Sequence, residues 1–130
     1  MQLPVIKTCL VCEDIRSEVG NKLSFMGVFG QFPTVDIVVD DLKKPITRLA
    51  FVLMTHGGNG KFNITSQLKK PNGELKDNKT QLVAEFATDK TAILVFVTNN
   101  FVAEVSGKFQ FIVMADREKL FEDSFTIRQE

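Results

Sequence analysis

Residues 61 to 68, KFNITSQL, leave little choice of local structure: Phe62, Ile64 and Leu68 recur at even spacing between Lys61, Asn63, Thr65 and Gln67. A two-residue period puts one row of side chains on each side of an extended chain, so the segment reads as a half-buried strand. The same period returns in GKFQFIVMA, where Phe109, Phe111 and Val113 share a face, and in LFEDSFTI, where Phe121, Phe125 and Ile127 do. No stretch sustains an apolar period of about 3.6 residues over three turns. No repeat of roughly 20 to 50 residues is visible either.

Turn chemistry divides the rest of the chain. TRLAFVLMT is an apolar run of strand length without strict alternation, and HGGNG follows it with glycines that permit positive φ. Residues 47–55 and 61–69 are therefore expected to pair as a hairpin. Pro71, Asn72 and Gly73 set a turn after the second of them, and Asp116 to Lys119 makes another. TQLVAEFA, AILVFVT, VIKTCLVCE and KLSFMGVF are further strand-length segments. VDIVV, bracketed by Pro33 and Pro45, reads as a short edge strand, because neither proline donates to a ladder. About seven to nine short strands predict an all-β fold, an immunoglobulin-like antiparallel β-sandwich over residues 1–130, with a closed β-barrel as the alternative.

Charge narrows the function. Sixteen basic and sixteen acidic residues cancel, and the basic ones are scattered, which argues against a phosphate-binding surface and hence against nucleic acid. No window approaches the roughly 20 apolar residues of a membrane span. The N-terminus lacks a basic segment before its apolar run, and only two cysteines are present, so a cytoplasmic location is expected. Twelve phenylalanines fill the aromatic inventory, with no Trp or Tyr, so the amphipathic rings that line sugar platforms are missing.

The chemistry-bearing motifs mostly dissolve on inspection. Cys9 and Cys12 have C-x-x-C spacing, but on a strand residues three apart face opposite sides, and the sole histidine, His56, lies in a distant loop. No metal or other cofactor is expected. HGGNGK lacks the spacing of a phosphate loop and leads into a strand. A hydrolytic role for His56 finds no nucleophile at readable spacing. Asp36, Asp40 and Asp41, with Asp77 or Asp116, form the one acidic set able to supply a calcium cup, which keeps a small-ligand or Ca²⁺-binding sandwich as the alternative function.

Two surfaces remain. In CEDIRSEVGNKLSFMGVFG, reading Gly20-Asn21 as a two-residue turn puts Asp14, Arg16 and Glu18 on one strand face, opposite Val11, Ile15 and Val19. That row is either a self-neutralising exposed face or a contact for a partner's charges. In AILVFV both rows are apolar, and Ile112 and Met114 lie opposite the Phe109 face, more than one sandwich face hides. The expected function is a non-enzymatic interaction or structural module, self-associating as a homodimer or holding a protein partner, with Asp14, Arg16, Glu18, Ile112 and Met114 as its candidate surface.

The opening stretch also carries a resemblance. Cys12, Glu13, Asp14, Ile15, Arg16, Glu18, Gly20, Lys22, Leu23, Ser24 and Gly27 match the Cys-acid-Asp-aliphatic-Arg-x-Glu run and Gly-x-Lys-aliphatic-Ser strand of a family of small bacterial proteins known only as a domain of unknown function. LKKPNGEL and GKFQFIV are similar to its Pro-x-Gly turn and final hairpin strand. The resemblance implies a bacterial β-sandwich protein and supplies no catalytic residue.

Overall fold

The computed structural model describes residues 1–76 and 81–130. Ten strands follow one another among them: β1 (Val5–Glu18), β2 (Lys22–Gln31), β3 (Thr34–Val39), β4 (Ile46–His56), β5 (Gly60–Lys69), β6 (Leu75–Lys76), β7 (Gln81–Phe86), β8 (Thr91–Phe101), β9 (Gly107–Ala115) and β10 (Glu118–Gln129). The described residues contain no helix, and none long and apolar enough to cross a membrane. The two-residue β6 takes the count past the seven to nine strands expected.

The strands join in the order β6-β5-β9-β10-β3-β2-β1-β4-β8, with β7 also pairing β5. This ribbon doubles over on itself. Phe51 on β4 stacks on Phe111 of β9 with ring centroids 4.2 Å apart, so β2-β1-β4-β8 and β5-β9-β10 are the two layers of a sandwich. β3 belongs to both, running antiparallel to β2 and parallel to β10. On the opposite side β7 touches β8, which brings the sandwich close to a barrel.

Alternation decides what fills the space between the layers. Leu49, Phe51 and Leu53 of β4 and Leu94 and Phe96 of β8 meet Ile64 and Leu68 of β5, Phe109, Phe111 and Val113 of β9, and Phe125 and Ile127 of β10, all buried. Phenylalanine suits this use, since its ring fills volume without a polar tip to satisfy.

Three local expectations are corrected. Strands β4 and β5 do not pair: β4 lies between β1 and β8, while β5 lies in the other layer. Both faces of β4 are apolar, which suits a central strand, and Gly57, Gly58 and Gly60 at positive φ let the chain arch across from one layer to the other. VDIVV is not an outermost strand: Val35 and Ile37 are buried, and β3 is the seam between layers, held by β2 at Thr34 and Val35 and by β10 at Asp36–Val39, so only one side of its second half stays open. The first hairpin closes with a three-residue loop, because Glu18 pairs with Lys22 around Val19, Gly20 and Asn21. Gly20 and Asn21 do take positive φ, 84° and 60°. By contrast the turn at Pro71–Gly73 forms as expected, while the last one is tighter than Asp116 to Lys119: it takes Asp116 and Arg117 alone, with Glu118 and Lys119 already in β10 opposite Ala115 and Met114.

Candidate functional site

The first hairpin outruns the sandwich. β1 pairs β4 as far as Cys12 opposite Ala50, and from Asp14 onward its pairing partners lie in β2 alone. The charged row therefore stands on an overhang. Arg16 and Glu18 are exposed, while Asp14 turns to Arg48 at the start of β4, with Nη1 3.1 Å from Oδ1. That pair is about as exposed as most surface ion pairs and contributes roughly 0 to 1 kcal/mol. Ile112 and Met114 sit elsewhere, on the outside of the β5-β9-β10 layer, opposite Gln67 and Glu122 and opposite Thr65 and Lys119. Lys119 and Glu122 form an ion pair at 2.8 Å on β10 itself. The structure thus separates the candidate residues into two surfaces on different layers.

A broader apolar surface lies on the outside of the β2-β1-β4-β8 layer. Cys12, Ala50 and Val52 form a second cluster, distinct from the interior core and themselves 0% exposed, covered by the partly buried side chains of Leu10, Ile15, Phe25, Met54 and Val97, which make the outer apolar surface. Ile93, opposite Met54, is 42% exposed, and Val28, opposite Cys12, is 55% exposed. No second layer covers this face among the described residues. The signal for it was the unalternating run TRLAFVLMT, whose outward row Ala50, Val52, Met54 is as apolar as its inward one. Polar groups stand at both ends, Arg48 with Asp14 at one and His56 with Thr91, 3.2 Å apart, at the other.

The two thiols fall on opposite sides of β1, Cys9 in the interior core and Cys12 in the outer cluster, so their sulfurs do not converge on one ligand. Cys12 Sγ donates to the Asp14 carbonyl oxygen at 3.5 Å. Burial, reinforced by the Asp123 carboxylate, pushes the Cys9 thiol up to about 12 from 9.0, and burial raises Cys12 as well. The thiolate is the reactive form, so neither cysteine in the folded protein should react with a disulfide reagent at pH 8, and both should once guanidinium unfolds it. Stoichiometric labelling of the folded protein would contradict this. As pH climbs past 9, the unfolded chain releases these protons while the folded one keeps them, so stability should fall from pH 9 toward 12.

The acidic set does not gather. Asp36 pairs with Arg128 across β3 and β10, Asp41 accepts from the Lys43 amide, and Asp116 accepts from the Asn63 amide. Asp77 lies outside the described residues. Among those described, no three His, Cys, Asp or Glu side chains are placed to hold a metal ion. Between the layers the gap beside Phe51, Ser66, Leu68 and Phe96 is about 10 Å³, at the threshold for a single water.

Other hollows lie on the surface, one of about 530 Å³ beside Asn63 and Leu82 and one of about 330 Å³ beside Lys70 and Lys108, and two more lie toward the end where β2 and β3 part. The two strands pair only at Gly30–Val35 and Gln31–Thr34, beyond which β2 stays with β1 and β3 stays with β10. Two adjoining hollows of about 450 and 310 Å³ open at this end of the sandwich, and Glu13 and Ile46 line both. Glu13 reaches them by lying flat across Gly27, where a Cβ would sit 2.7 Å from its carboxylate. Gly27, at φ 63°, is thus fixed both by backbone conformation and by that side chain. The sequence carries both residues in its most distinctive stretch, but their contact depends on cross-strand register, which no single segment reveals.

No protein-family model matches this sequence, and no curated protein matches it. Among solved structures, the chain is similar to an immunoglobulin-like protein from Pseudomonas aeruginosa, at 15% identity over 91% of this chain and 96% of the other, with a TM-score of 0.40.

Proposed function

We propose that the protein is a non-enzymatic binding module that self-associates through the outer face of its β2-β1-β4-β8 layer. The observation that carries this reading is the apolar shell around the second cluster, partly buried Leu10, Ile15, Phe25, Met54 and Val97 with exposed Val28 and Ile93, over which no second layer lies among the described residues. Each large apolar side chain left wet forgoes up to about 1.5 to 3 kcal/mol of burial. By strand spacing the apolar centre covers about 300 Å². Its polar ends extend it toward the roughly 800 Å² per partner of a standard interface. A second copy is the fitting occupant, because a two-fold contact lets one patch cover its own image and sets an apolar centre within a polar rim.

Val95, outward on β8 opposite Val52, gives the test. Sedimentation should find the wild type dimeric and Val95→Lys monomeric and folded, since an unpaired ammonium is costly at a buried interface. Ile112→Lys, on the other layer, should leave the dimer intact. A wild type that stays monomeric at high concentration, or a dimer broken by Ile112→Lys instead, defeats the reading.

A further inference from the structure

Self-association of the outer face leaves the opening between β2 and β3 unused. Two strand edges face it: Lys22–Phe29 of β2 and Asp36–Val39 of β3 have no ladder partner on that side among the described residues. Unpaired edges are normally covered, charged or bent away, because each exposed amide and carbonyl row is a template for another strand. Lys22 to Met26 is regular, paired with β1 throughout, and a single bend at Gly27 separates it from the hollow. The floor of that hollow is apolar, from Phe29, Pro45 and Ile46, while its acids, Glu13, Asp40 and Asp41, outnumber its one base, Lys44. Neither Glu13 nor Asp40 has an ion-pair partner among the described residues.

From these features we infer that the cleft takes an extended segment of a partner protein as an added strand on β2, with a basic side chain of that segment against Glu13 and Asp40. Main-chain hydrogen bonds along an open edge supply affinity in such complexes, and pockets for alternate side chains supply selectivity. The carboxylate excess selects lysine or arginine, and the apolar floor takes the stem of that side chain.

A fluorescein-labelled nonapeptide of alternating valine and lysine is the probe, read by anisotropy and by amide hydrogen exchange on the full chain. It should bind, protect amides between Lys22 and Val28, and weaken about tenfold or more with the double variant Glu13→Gln, Asp40→Asn. The same peptide with alternate amides N-methylated keeps its charge but loses the strand edge, and it should bind at least tenfold more weakly. Val95→Lys should bind the peptide as the wild type does, which separates this site from the self-association face. Absence of binding, equal binding of a valine–glutamate peptide, undiminished binding of the N-methylated peptide, or β2 protection that grows with protein concentration without peptide would each overturn the inference.

Discussion

Replacing Phe111 by alanine should remove about 3 to 5 kcal/mol of stability, the largest single loss expected in this chain. The ring is 1% exposed and stands where the two layers meet. It lies against Phe51 at 4.2 Å and 15°, with Phe96 at 5.7 Å and Phe121 at 6.1 Å around it. Alanine therefore empties a site whose walls come from both sheets, and a wall made of rings in strand-fixed positions collapses poorly into the space. For a domain whose total stability is of order 5 to 15 kcal/mol, that is a large share. Phe111→Leu, which refills part of the volume, should recover more than half of the loss. Denaturant midpoints of the two variants decide it, provided the slopes match the wild type. A loss under about 1.5 kcal/mol for alanine would mean that the inter-layer stack is not the centre of the core.

Much of this core was legible because period-2 patterns in β5, β9 and β10 name their inward residues directly. Phe62, Ile64, Leu68, Phe109 and Val113 are all buried as their alternation predicts. What resisted reading was the partnering of strands. HGGNG has the composition of a hairpin loop, yet its glycines serve an arch between layers, and nothing within residues 47–69 distinguishes the two uses. The distinction lies in β8 and β1, distant strands whose apolar rows compete for the edges of β4. The site fared similarly. The charged hairpin could be seen, but the hollow beside it exists because β3 leaves β2 for β10, a long-range parallel pairing of Asp36–Val39 with Thr126–Gln129. A segment bracketed by prolines reads locally as an edge, and only the last strand of the chain makes it a seam.

That seam makes Gly30 the second sensitive position. Its φ is ordinary, so its role is closeness: a Cβ there would stand 2.8 Å from the Thr34 carbonyl oxygen and 3.3 Å from Val35 Cα, both backbone atoms. A flexible side chain can swing away from such a contact, whereas a paired backbone must move as a unit. Gly30→Ala should therefore push β2 off β3 at the one place where they pair, and cost roughly 1 to 3 kcal/mol, with Gly30→Val at the upper end or beyond. Gly20 supplies the contrast. It sits at φ 84° with open space around it, so Gly20→Ala or Gly20→Val pays only for a left-handed conformation, about 1 to 2 kcal/mol in a loop free to relax. The two mechanisms separate in hydrogen exchange. Gly30→Ala should release the amides joining Gly30 and Gln31 to Thr34 and Val35 and widen the cleft beside Glu13, while Gly20→Ala should leave that ladder protected. A Gly30→Ala protein as stable as the wild type, with the β2–β3 amides still slow, would show that the strands have room at the apex and that the opening between them is not fixed by this glycine.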